Sequence, residues 1–182
     1  PLVVIVIIAV LMADVIGKLT KTTSKDNSSK TTTKAATYEA IADTMEFDIS
    51  DDAIAFINDN PQFFPGNSSN TGAISDHIDF SMDYAHVAKN PFKYSDRLMC
   101  IFGEVVDCQE LEESGKTLTY VQIEDYSGYD YCVYYLGELP NVFEGNDVTV
   151  TFLPFNVITF ENIGGYYTKA IVGAACYVNY AE

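Results

Sequence analysis

Residues 97–108, Arg-Leu-Met-Cys-Ile-Phe-Gly-Glu-Val-Val-Asp-Cys, form the longest strand-like run in the chain after its apolar start, and they constrain the fold more than any other stretch. From residue 97 the hydrophobic pattern has a period of two, the repeat of a strand with one buried face. Gly103 falls inside this run, where a missing side chain permits the bend or bulge that lets one long strand serve both halves of a barrel. Four later runs share its character, at 118–124, 129–136, 148–153 and 169–177. Together they predict a small closed β-barrel. A barrel of this size hosts many functions, so the fold alone does not name one.

The connections refine that expectation. Residues 110–116 read as a polar turn, and Ser127-Gly128 as the centre of a hairpin turn. The main connection, 137–146, lies between the third and fourth strands and ends in Glu144-Gly145-Asn146-Asp147. Residues 154–168 read as a long aromatic and glycine-containing loop. Five strands in this arrangement describe an OB-type barrel over 96–182. The expected fold class is mainly β, a five-stranded OB-like barrel preceded by short α-helices and an N-terminal apolar membrane helix.

Upstream of the barrel the composition changes three times. Residues 2–13 are unbroken apolar sequence, and we read 1–17 as the remaining part of a transmembrane or signal-anchor segment. Twelve apolar residues fall short of the ~20 that cross a bilayer; a signal-peptide core with Val15-Ile16-Gly17 as its cleavage region is the alternative. Residues 18–37, rich in Lys, Ser and Thr, have Leu19 as their one large apolar residue and read as a linker. Residues 38–95 read as a helical lead-in packed on the barrel. Within it, 38–45 suits a helix, Ser50 offers an N-cap ahead of Asp51 and Asp52, and Pro61 stops the second helix. Residues 67–72 read as a loop, and 83–89 as a short helix ended by Asn90-Pro91.

Charge narrows the partner classes. The chain carries a formal net charge of −16, but residues 35–182 hold five basic and 24 acidic residues, a net of −19. Such a surface repels phosphate backbones, so nucleic acid is an unfavoured partner. His77 and His86, nine residues apart with Asp83 near the second, match no metal-ligand spacing. Cys100, Cys108, Cys132 and Cys176 lack a C-x-x-C pair, which argues against zinc; they read as buried free thiols, with one disulfide as the alternative. Gly115-Lys116-Thr117 resembles the end of a phosphate loop, but Glu110 stands where the first glycine belongs and a strand follows where a helix is needed. No G-x-S-x-G elbow occurs, and Glu112-Glu113 lies on a solvated turn. We therefore expect no enzyme activity, cofactor or metal.

Several short motifs are similar to a known group. Lys89-Asn90-Pro91-Phe92-Lys93-Tyr94, the Gly-x-Val core within 99–106, and Glu144-Gly145-Asn146-Asp147-Val148 resemble OB-fold domains of membrane-anchored proteins from Gram-positive bacteria. Ala55-Phe56-Ile57 to Phe63-Phe64-Pro65 resembles their helical lead-in, so the likeness covers about 50–180. Many of those proteins carry a zinc ribbon and one transmembrane helix ahead of the domain, and no zinc-ribbon cysteines occur here. The resemblance implies a single-pass protein with its barrel outside the membrane; secretion after signal-peptide cleavage is the alternative. It implies no enzyme activity and no particular ligand.

The hairpin suggests a binding surface. With Ser127-Gly128 at its centre, Ile123 pairs with Cys132, Val121 with Tyr134 and Thr119 with Leu136, and that face is the expected core. The opposite face then carries Tyr120 beside Tyr135, Gln122 beside Val133 and Glu124 beside Tyr131. The outer face of strands two and three is the usual OB ligand surface. Tyr120, Gln122, Glu124, Tyr131 and Tyr135 are accordingly the expected ligand-binding residues, through ring stacking and hydrogen bonds. Cross-strand stabilisation, or burial of the tyrosines beneath the N-terminal helices, is the competing explanation. Expected partners are an envelope protein, a peptide or a cell-wall ligand, with the membrane contacted through the N-terminal segment.

Overall fold

The computed structural model describes residues 33–113, 116–161 and 165–180. The apolar segment and most of the Lys-rich linker lie outside the described residues. Among these, no helix is long and apolar enough to cross a membrane.

Five strands close into a barrel: β1 (Met99–Glu113), β2 (Lys116–Asp125), β3 (Asp130–Tyr135), β4 (Asp147–Glu161) and β5 (Tyr167–Tyr180). Their order around the barrel is β1-β2-β3-β5-β4, with β4 returning to β1. All pairs are antiparallel except β3 with β5, which is parallel. One long strand shared between two neighbours, with a parallel closure, is an OB-type arrangement.

The sharing happens where the sequence suggests it. Residues 99–104 of β1 pair with β4, and residues from Gly103 onward pair with β2, so Gly103 and Glu104 are paired on both sides. A Cβ at Gly103 would lie 2.4 Å from the Glu124 carbonyl oxygen and 2.8 Å from Ile123 Cγ2. Glycine is thus required by the close approach of β2. The bulge itself comes later: the register slips between Val105 and Asp107, leaving Val106 as the extra residue.

The strand boundaries differ from expectation, most at three places. β1 runs to Glu113 where a turn is expected from 110. β4 passes its expected end at 153 and reaches Glu161, and β5 starts at Tyr167, so most of the expected 154–168 loop is paired strand. Pro154 is the reason the pattern misleads. It sits at a register shift in β4, beyond the last β1 partner at Phe152, where one edge of the strand no longer needs a donor.

The helices are α1 (Thr33–Met45), α2 (Asp51–Asp59), α3 (Thr71–Ser75) and α4 (Tyr84–Lys89). α1 begins inside the expected linker, because Ala35 and Tyr38 are fully buried against the domain. Ser50 caps α2 as expected, its side chain accepting from the Ala53 N–H at 3.2 Å. Asp83 does the same for α4, accepting from the His86 N–H at 2.9 Å. α3 takes up residues expected to be loop.

Two apolar layers result. The barrel interior holds Val105, Val121, Ile123, Tyr131, Val133 and Phe152 among others. A second layer lies outside the barrel, between the helices and the outer faces of β2, β3, β4 and β5. β5 is consequently buried on both faces from Ala170 to Cys176, which removes the alternation from that strand.

Candidate functional site

The β2–β3 turn decides which side chains meet. Asp125 N–H donates to the Tyr129 carbonyl at 2.9 Å, and Gly128 N–H donates to the Asp125 carbonyl at 2.8 Å. The Asp125 carboxylate accepts from the N–H groups of Ser127 and Tyr129 at 2.9 and 3.0 Å. Gly128 has φ +80°, the left-handed conformation that a glycine supplies in a three-residue hairpin loop. The loop is therefore Tyr126-Ser127-Gly128, one residue longer than a turn centred on Ser127-Gly128.

That single residue overturns the expected pairing. The observed partners are Thr119 with Tyr135, Tyr120 with Tyr134, Val121 with Val133, Gln122 with Cys132, Ile123 with Tyr131 and Glu124 with Asp130. A one-residue slip turns every β3 side chain to the other face. The five expected ligand-binding residues therefore do not share a surface. Tyr120, Gln122 and Glu124 point outward with Cys132 and Tyr134, whereas Tyr131 and Tyr135 lie on the barrel-interior side.

Most of these residues are also occupied. Tyr120 is buried beneath the helices, and its hydroxyl shares a 3.2 Å hydrogen bond with Cys132 Sγ. Tyr131 is buried in the barrel and donates to Asp125 Oδ2 at 3.1 Å. Gln122 is half-buried and donates from Nε2 to Asp130 at 2.9 Å. Tyr135 is half-buried against the interior layer, and Glu124 is exposed. The cover over β2 and β3 is α1: the Tyr38 hydroxyl donates to the Tyr134 carbonyl at 3.4 Å. Leu111 of β1 and Ile158 and Phe160 of β4 pack against the same layer. The competing explanation, burial under the N-terminal helices, is what the geometry shows for Tyr120.

An open concavity lies elsewhere on the barrel. The start of α4, the outer side of β1 and the β2–β3 turn enclose a cleft of about 390 Å³, lined by residues including Met82, Asp83, Tyr84, Cys100, Phe102, Asp125, Tyr129 and Tyr131. Its walls are aromatic. The Tyr84 and Tyr129 rings stack at 4.2 Å with 7° between planes, and Tyr131 meets Tyr84 edge-on at 5.8 Å. The Tyr84 hydroxyl donates to the Lys169 carbonyl at 3.0 Å, which fixes the stack to β5. Phe102 and Tyr129 remain 45% and 43% exposed, so their ring surfaces stay available to a ligand. Phe102 in turn leans on the exposed Tyr126 at 5.4 Å.

The electrostatics of the cleft are acidic. Asp83 and Asp125 line it, and among the described residues no basic side chain does. The His86 backbone N–H is the main group holding the Asp83 carboxyl below the usual range. Burial, then the Asp125 charge, pushes the Tyr131 phenol well above its ordinary value. Burial and the nearby Asp130 raise Tyr84. The Tyr84 and Tyr131 phenols are therefore neutral at physiological pH, and the Asp83 carboxylate is a charged acceptor. Ring faces, two carboxylates and thioether and thiol sulfur are the chemistry on offer.

The histidines serve separate local roles. His77 packs edge-on against Phe56 at 5.2 Å, and His86 Nδ1 contacts Asp83 at 2.7 Å. Among the described residues, no group of three or more His, Cys, Asp or Glu could hold a metal ion. All four cysteines are free thiols, Cys132 and Cys176 buried and Cys100 and Cys108 half-buried. The sequence signal pointing to the cleft was the Asp83-Tyr84 cap and the tyrosines flanking the turn. No spacing along the chain connects residues 82–85, 99–102 and 125–131, which only the barrel closure brings together.

Comparison with known proteins finds no matching family model and no matching curated protein. Among solved structures, the chain is similar to the solution structure of the OB domain of Ta0387 from Thermoplasma acidophilum. The identity is 15%, covering 47% of this chain and 76% of that one, with a TM-score of 0.26. The OB-type description of this barrel rests on its own strand order and pairing.

Proposed function

We propose that this chain is a non-catalytic OB-type binding module, held outside the cytoplasm on a membrane tether, and that its ligand site is the aromatic cleft between α4 and the β2–β3 turn. The observation that carries this is the cleft itself. It is the concavity where aromatic rings and charged acceptors converge while the usual OB face is filled by α1. The apolar residues 2–13 and the Lys-rich residues that follow supply the tether; the resemblance to anchored Gram-positive domains supports the extracytoplasmic side, whereas lysines flanking a span point to the cytoplasmic one. The ligand is a peptide, an envelope protein or a cell-wall component. Nucleic acid is disfavoured by the net −19 of residues 35–182.

A structural role within an envelope assembly is the second reading. It is favoured by exposed aromatics away from the cleft, with Phe80 at 80% and Phe143 at 62% exposure. The two separate cleanly with Tyr129→Ala. Tyr129 is partly exposed and its loss removes one side of the stacked pair, so binding to muropeptide or peptide panels falls while the fold persists. Unchanged binding in that variant would refute the cleft as the site. Protease accessibility in intact cells tests the location: protection of the barrel would overturn an extracytoplasmic domain.

A further inference from the structure

We propose that the cleft receives the ammonium or guanidinium group of a lysine or arginine side chain on a partner polypeptide, an inference that rests on the reading of the cleft as the binding site. Three features converge on a cation. Phe102 and the side of Tyr129 not stacked on Tyr84 offer exposed ring surface, and a cation over such a face is attracted by the negative centre of the ring. Asp83 and Asp125 place two carboxylates in its lining, Asp83 beside His86 at 2.7 Å and Asp125 bonded by Ser127, Tyr129 and Tyr131, and among the described residues no Lys or Arg lines the cleft. The remaining charges of residues 35–182 reinforce the sign, since acids outnumber bases there 24 to five.

His86, Arg97 and Lys93 are otherwise engaged. His86 is turned to Asp83 at 2.7 Å, Arg97 pairs with Asp79 and Asp96 at 3.1 and 3.0 Å, and Lys93 lies over the Tyr94 ring at 5.2 Å. Lys169 contributes its backbone carbonyl to Tyr84. Asp130, which bonds Gln122, adds a third negative charge behind Tyr84 and Tyr131. The methylene stem of a long basic side chain suits the half-exposed Phe102 ring, leaving its charged head beside the carboxylates. A carboxylate-bearing ligand would meet repulsion from both aspartates.

The test is an amide NMR titration of the full 182-residue chain in detergent micelles. Probes are capped five-residue Gly peptides with Lys, Arg, Gln or Glu at the centre, with spermidine as a free polyamine. The Lys and Arg peptides shift the amides of Ala85, Ser127 and Tyr129, and the Gln and Glu peptides do not. Asp83→Asn with Asp125→Asn keeps the cap and turn acceptors while removing both charges, and weakens Lys and Arg peptide binding about tenfold. Equal binding of the Gln peptide, or no weakening in the double variant, overturns a cationic ligand but leaves the cleft as a site. Spermidine binding with silent peptides overturns the polypeptide source. Shifts confined to other surfaces by every probe overturn the cleft as well.

Discussion

Replacing Tyr38 with alanine tests whether α1 is integral to the domain. Tyr38 is fully buried, with its ring 5.6 Å from Phe155 and 6.1 Å from Phe64, both edge-on. A buried aromatic ring withdraws roughly 150–250 Å² from water, and truncating one to alanine in a packed layer costs about 3–5 kcal/mol, cavity included. The hydroxyl adds little, because its bond to the Tyr134 carbonyl is long at 3.4 Å. Tyr38→Phe should therefore cost less than about 1 kcal/mol. For a domain of this size the alanine variant should melt about 10 °C lower. Urea unfolding followed by circular dichroism gives the free energies, and hydrogen exchange at β2 and β3 shows whether α1 releases before the barrel opens. A cost below about 1 kcal/mol for Tyr38→Ala, equal to that of Tyr38→Phe, would refute the argument that α1 is docked through this ring.

Other perturbations probe the barrel and its charges. Gly173→Ala would place a methyl 2.3 Å from the Leu153 carbonyl oxygen; the β4–β5 pairing must shift, and thermal melting should show a loss of about 1–3 kcal/mol. Asp130 is half-buried, and burial raises its carboxyl above the usual range. A raised carboxyl favours the folded state while protonated, and that advantage is lost as pH rises from the ordinary value through the raised one. At pH 7 the full penalty applies, so Asp130→Asn, which keeps the Gln122 contact, should raise Tm by about 1 °C after screening. The difference from wild type should vanish below pH 3. Burial pushes the Cys108 thiol up to about 11 and Cys132 up to about 12. Alkylation of native Cys108 at pH 8 should run about a hundredfold slower than for a free thiol, and Cys132 and Cys176 should react on unfolding, as mass spectrometry of trapped products would show.

The local signals were legible where one residue carries its own structural meaning. Ser50 caps a helix because a short polar side chain satisfies a free N–H group within three residues. Gly103 marks the shared part of β1 because only glycine tolerates the approach of β2. The alternating runs reported five strands correctly, but not their ends. β5 lost its alternation through burial on both faces, and Pro154 looked like a terminator until β4 ran past its β1 partner.

The sequence by itself determined five strands, an acidic surface and a helical lead-in, since each follows from short-range periodicity, capping and composition. Tertiary structure alone decided which face of the hairpin meets water. A three-residue loop in place of two moved Tyr131 into the barrel, and α1 covered Tyr120. The cleft belongs to tertiary structure too, because Asp83, Phe102 and Tyr129 are neighbours only once the barrel has closed. Strand periodicity is a property of adjacent residues, whereas register and cover depend on where distant segments end.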